Sequence, residues 1–426
     1  MNMTGAFARR RAIRVPIVAV ACLVIATSVS CTGAKIPAPA GKYLIGTTSY
    51  AFTDPSRVEQ HAADPTARRQ VVVRIWYPAA SVEGRAATPY FTPALVSALG
   101  KYMGIPRFIL STSPSHSFLD APINTEEGSW PIIVFAHGFG SFDRQNQSQM
   151  EEFASDGYVV VSLNFTYESV VCEFPDGRAI EQSSGGDVKL IKDLSKDQKA
   201  LAQRIAGLFK AIHDAQDREA RLAALERLRD DPYFQAMRPA METRFADAVF
   251  VLEHMAELNE LPIRGGRLDE RRVGFYGHSF GGALAIEIAL RRPDLVSAVA
   301  DMDSVFIDSS RSGLVTLKVP TLFMYSTEQK VAGVRQPSDG VNELYFLEAE
   351  APVWSLSYVG TGHHNFSDLG HVGMLKNYGM NGPADGYATG ELIQKDLSLF
   401  FDRYLKGDSR AIEFKDPRVI GKARNH

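Results

Sequence analysis

A chain of 426 residues, 45% of them hydrophobic, is long enough to bury one large core or two modest ones. Its 22% charged and 10% aromatic residues are ordinary for a globular enzyme, and a net charge of -3 with scattered Lys and Arg excludes a nucleic-acid partner. Of three cysteines, only Cys172 lies beyond the N-terminal region, so neither an internal disulfide nor a cysteine metal cluster is expected.

In chain order, Arg9, Arg10, Arg11 and Arg14 precede an apolar run from Val15 to Val29 and the small residues Ser30-Cys31-Thr32-Gly33. That is the layout of a signal peptide over residues 1–30, and the run is short for a membrane span. Cys31 stands where a bacterial lipoprotein box places its lipidated cysteine, although Ser28 occupies a position usually taken by Leu. Export follows, as an envelope lipoprotein held to the membrane through Cys31 or as a secreted protein. Residues 31–45, rich in Pro and Ala, predict a tether.

Val71 to Tyr77 alternates and is β-branched, which predicts a strand. Ile132 to Ala136 is a continuous apolar run of the kind a strand buried on both faces shows. A helix over Gln149–Ala154 and a strand over Tyr158–Leu163 complete a right-handed parallel unit. Further strands are predicted running to Ser279, and over Ala298–Met302, Thr321–Tyr325 and Val353–Val359, with a closing helix over Leu392–Leu405. This alternation predicts one α/β domain over residues 46–410 with a mostly parallel central sheet flanked by helices, and residues 411–426 are left as a C-terminal tail. A helical insertion interrupts it at about 187–258, with Leu190, Leu194, Leu201, Ile205, Leu208 and Ile212 at helical spacing. It either covers the sheet or caps a site.

The richest stretch is Gly277-His278-Ser279-Phe280-Gly281. Apolar Val273, Phe275 and Tyr276 lead into it as a strand, and Ala283 to Leu290 follows as a helix, so Ser279 sits on a sharp strand-to-helix turn. Such a serine is a candidate nucleophile, and it needs a base and an orienting carboxylate, in the order serine, acid, histidine. Asp301 and Asp303 both close the Ala298 strand and project to one side, so alternation does not separate them. Asp303, further out, is preferred. His363 and His364 follow the Val353 strand and a Gly360-Thr361-Gly362 loop, and either could be the base, whereas His426 is terminal. A metal reading of His363, His364, Asp368 and His371 has mixed spacing and no cysteine, so neither metal nor cofactor is expected. Two amides must meet the oxyanion: that of Phe280, and one from the His137-Gly138-Phe139-Gly140 loop. The same loop lacks the Lys-Ser or Lys-Thr of a phosphate loop.

Taken together, Pro131–Gly140, Gly277–Ala283, Asp301–Phe306, Val319–Glu328 and Gly362–Asp368 resemble, in order, the blocks of the platelet-activating-factor acetylhydrolase family. The likeness runs loosely from about Tyr77 to Leu405 and implies an α/β-hydrolase fold. It further implies a serine esterase with Ser279 as nucleophile, Asp303 as acid, His363 as base and the Phe139 and Phe280 amides as oxyanion donors. The substrates implied are short acyl esters, sn-2 acetyl or oxidised phospholipids among them. The alternatives are a general carboxylesterase or polyester hydrolase, or a non-catalytic envelope-bound interaction protein. The 187–228 segment departs from the family pattern.

Overall fold

The computed structural model describes residues 36–104, 114–261, 265–306, 308, 313, 316–338, 340–371 and 381–424. The leader and Cys31 lie outside them. In chain order the elements are β1 (Leu44–Val58), β2 (Arg68–Ala79), β3 (Ala87–Pro89), α1 (Pro93–Met103), β4 (Pro114–Leu119), β5 (Trp130–Ala136), α2 (Gln147–Ser155) and β6 (Val159–Phe165). The hairpin β7 (Val171–Glu173) and β8 (Ala179–Glu181) precedes four longer helices, α3 (Gly186–Leu194), α4 (Gln198–His213), α5 (Arg218–Arg229) and α6 (Pro232–Glu253), and a short helical turn over Met255–Asn259. Then come β9 (Leu268–His278), α7 (Phe280–Arg291), β10 (Ala298–Met302), β11 (Thr321–Ser326) and the hairpin β12 (Lys330–Val331) and β13 (Val334–Arg335). β14 (Val353–Tyr358), α8 (Gly386–Leu405) and β15 (Val419–Arg424) close the chain.

Among the described residues the main sheet runs β15-β14-β11-β10-β9-β5-β6-β2-β1-β4-β3. From β6 to β14 neighbouring strands are parallel, and the flanking β2 and β15 pair antiparallel. Successive strand residues face opposite sides, so β5 splits its apolar run between two cores. Ile132, Val134 and Ala136 meet α6 and α7, while Ile133 and Phe135 join Met150 and Phe153 of α2 and Phe400 and Phe401 of α8. Each such aromatic or aliphatic side chain contributes about 1.5–3 kcal/mol on full burial. Two covered faces explain why the central strands lack a polar alternation.

Two expectations at the chain's ends are corrected. Residues 411–426 are not a free tail, because Val419–Arg424 pairs with β14 from Tyr358 to Val353 and takes the sheet edge. Lys422 and Arg424 place charge on that edge, which discourages pairing with another chain. The tether expected over 31–45 is packed down from Ile36, which is buried beside Tyr90, Phe91 and Leu95. The Tyr43 amide also bonds the Ser155 carbonyl at 3.0 Å.

The insertion answers both readings of it. α4 and α5 form their own core with Ile205, Phe209, Ile212, Leu225 and Leu228, apart from the sheet. α6 begins at Pro232 behind an Asp231 cap whose carboxylate accepts from the Tyr233 amide at 2.9 Å. Its second half, with Ala248, Val251 and Leu252, lies on the sheet core.

Candidate active site

The elbow is built by sterics. A Cβ on Gly281 would stand 1.9 Å from the Ala136 carbonyl oxygen, and one on Gly277 would stand 2.2 Å from the Gly281 backbone. Only glycine lets β9, β5 and the start of α7 come this close. Ser279 itself takes φ 58°, ψ -123°, a sparsely populated conformation for a residue with a side chain, and its amide is tied to the Met302 carbonyl at 2.9 Å. The turn thus holds its hydroxyl at the carboxyl edge of the sheet, where ligands bind in open α/β folds.

Asp303 lies one residue past β10 with φ 55°. That turn breaks the alternation with Asp301. Asp303 Oδ1 accepts from the Ser326 amide at 2.7 Å, and Oδ2 accepts from the Ser326 hydroxyl at 3.0 Å and from His363 Nδ1 at 2.7 Å. A carboxylate offers only acceptors, so the His363 proton sits on Nδ1 and the lone pair on Nε2. Asp301 remains beneath the helix: it is fully buried, accepts from Asn342 Nδ2 at 3.2 Å, and would touch a Cβ on Gly282. Burial pushes its carboxyl up to about 8, against the hydrogen bond of Ser304 and with the charge of Asp303. A group held neutral in this way is a poor partner for an imidazolium.

Gln145 and His278 tie the surrounding loops together, and spacing alone did not single out either. Gln145 Oε1 accepts from the Gly138 amide at 2.9 Å and its Nε2 donates to His278 Nδ1 at 2.7 Å. His278 Nε2 then donates to the His363 carbonyl at 2.9 Å. Burial, then the neighbouring His363 and His364, holds the His278 pKa well below the usual histidine range, so this ring is a neutral strut. The only sequence signal for it was its place inside the elbow motif.

Ser279, Asp303 and His363 line one cavity of about 340 Å³ with Phe139, Phe280 and His364. Its far wall comes from the insertion: Leu201, Ala202, Ile205 and Phe209 of α4, and Tyr233, Phe234 and Met237 of α6. The insertion is therefore a cap. A second cavity of about 500 Å³ lies between α2, α8 and residues 37–40, and the elbow is not among its lining residues. His371 belongs to that side, stacked on Tyr387 with ring centroids 4.6 Å apart. Asp368 turns to the Ser148 amide at 3.0 Å.

The family model for platelet-activating factor acetylhydrolase, isoform II, matches residues 28–418. The chain belongs to that family. Platelet-activating factor acetylhydrolase of Cavia porcellus is 23% identical over 294 residues, 67% of this chain and 60% of the relative's own length. The enzyme of that name from Canis lupus familiaris is 21% identical over 406 residues, 92% and 82% of the two chains. Among solved structures, a ferulic acid esterase from Streptomyces cinnamoneus superposes with a TM-score of 0.63 at 23% identity, covering 91% of this chain and 99% of that one. The fold is an α/β-hydrolase fold.

Proposed function

We propose that this family member cleaves short acyl esters through an acyl-enzyme on Ser279. The observation that carries the reading is the 2.7 Å bond from His363 Nδ1 to Asp303 Oδ2 in the cavity that Ser279 also lines. His363 Nε2 takes the Ser279 proton as the hydroxyl oxygen attacks the ester carbonyl, and the Phe139 and Phe280 amides meet the charge that develops on oxygen. The imidazolium, steadied by Asp303, returns the proton to the leaving alkoxide. Water, deprotonated by the same Nε2, then releases the acid and restores Ser279.

For substrate we propose a short sn-2 acyl group on an ether or oxidised phospholipid, on the strength of the family. The cap side chains receive apolar chain, and no Lys or Arg is among the cavity's described lining residues, so a phosphate group stays outside. That same apolar wall favours the second reading, a general carboxylesterase or polyester hydrolase. The test is hydrolysis of p-nitrophenyl acetate, butyrate and octanoate beside a 2-acetyl ether phospholipid. Faster phospholipid turnover is the expected result, and preference for the simple esters selects the second reading. A folded protein that hydrolyses none of them and resists a fluorophosphonate probe is an interaction protein on a hydrolase fold.

Export and lipidation of Cys31 are part of the same proposal, supported by the charged and apolar leader. Among the described residues no helix is long and apolar enough to cross a membrane. Labelled palmitate should enter the protein in a bacterial host and be lost in Cys31→Ala; equal labelling of both overturns the anchor.

A further inference from the structure

A buried ion pair lies beneath the loop that follows β5, and the chemistry above does not use it. Arg244, on α6, has a side chain 1% exposed. Its Nη2 donates to Glu168 Oε1 at 2.6 Å and its Nε to Glu168 Oε2, while Nη1 reaches the His137 carbonyl at 2.6 Å and Nη2 the Gly138 carbonyl at 3.1 Å. The guanidinium also covers the rings of Phe165 and Phe280, at 4.2 and 4.9 Å from their centroids. Glu168 Oε1 accepts from the Gly140 amide at 3.1 Å.

His137 adds a second grip. Its Nδ1 donates to the Gly138 carbonyl at 2.7 Å, and its Nε2 pairs with the Ser169 hydroxyl at 2.9 Å. Burial, followed by the Arg244 charge, lowers its pKa to about 3, so the ring is neutral and Nδ1 keeps the proton that the carbonyl requires. The Gly138 carbonyl therefore accepts from two rigid, buried donors. A trans peptide is planar and its N–H points opposite to its C=O. Fixing the Gly138 carbonyl toward Arg244 and His137 turns the Phe139 N–H the other way. A buried ion pair is costly and weak evidence of stability by itself, which leaves orientation of this loop as its use.

We propose that Arg244 is a positioning residue for the oxyanion hole: through the Gly138 carbonyl it sets the direction of the Phe139 amide. The proposal rests on the ester-hydrolase reading. Its test compares wild type, Arg244→Met, Arg244→Lys and the double variant Arg244→Met/Glu168→Gln on p-nitrophenyl butyrate, with rates taken per site titrated by a fluorophosphonate, and Ser279→Ala alongside with its rate taken per folded protein. Arg244→Met is expected to lose about 100-fold in kcat, the scale of one oxyanion donor, with KM within about threefold. Arg244→Lys is expected to lose about 10-fold, because one ammonium holds one carbonyl rather than two. The double variant is expected to stay low. A wild-type kcat in Arg244→Met overturns the proposal, and so does recovery in the double variant, which would trace the loss to an unpaired Glu168. If Arg244→Met does not fold, the Lys variant decides, and a wild-type kcat there overturns the proposal. Turnover by Ser279→Ala would instead sink the underlying reading.

Discussion

Ser279→Ala is expected to lower kcat by on the order of 10⁵-fold or more while leaving the thermal midpoint within a degree or two. The two halves of this expectation have separate causes. Only the hydroxyl can form the acyl bond, and nothing else on the elbow replaces it. The turn, in contrast, is held by main-chain bonds, from the Ser279 amide to the Met302 carbonyl at 2.9 Å and from the Ala283 amide to the Ser279 carbonyl at 3.1 Å. Alanine keeps the Cβ and so the same strain at φ 58°. Initial rates on p-nitrophenyl butyrate beside a thermal melt check both halves, and a rate near wild type would remove Ser279 from the mechanism.

Asp303→Asn is expected to cost about 10⁴-fold in kcat, through the tautomer of His363 rather than through charge alone. The Ser326 amide donates to Oδ1 at 2.7 Å, so an asparagine must leave its carbonyl oxygen there and turn its NH₂ toward His363 Nδ1. Nδ1 then accepts, the ring proton moves to Nε2, and the base can no longer take a proton from Ser279. Asp301→Asn provides the contrast, with kcat expected within about threefold of wild type. Its signature is in stability. The folded-state pKa of Asp301, raised by burial to about 8, exceeds the unfolded value of 3.8, so the folded protein binds the extra proton between those limits. Stability from this group therefore falls as pH rises toward 8. Buried His137, lowered to about 3, acts with the opposite sign but only below its unfolded pKa of 6.5. Melts from pH 7 to 8 should show a falling midpoint in wild type and a flatter one in Asp301→Asn. A larger kcat loss at 301 than at 303 would reverse the assignment of the acid.

The sequence by itself determined what depends on neighbours along the chain. The continuous apolar run of β5 and the alternation of strands with helices set a parallel sheet covered on both faces, since no other arrangement buries such strands twice. Gly277, Ser279 and Gly281 set the turn, because the clashes that demand glycine arise within a few residues of one another and against the adjacent strand. The expected order of serine, acid and histidine came from the fold class that the elbow implies, and the choice of His363 over His364 from family likeness. Place along the chain and family likeness favoured Asp303 over Asp301, but only the tertiary structure gave the physical reason: the chain turns to φ 55° at the residue after β10, which strand alternation does not foresee. It also turned a supposed tail into β15, and an amphipathic insertion into a cap, because an apolar helix face does not say what it will meet. Least legible were Gln145, Glu168, Arg244 and His278. Arg244 lies 107 residues from the carbonyl of His137 that it grips, and Gln145 lies 133 from His278. Hydrogen bonds of that span leave no periodicity in a sequence; they exist only once the folded layers bring the loops to one edge of the sheet.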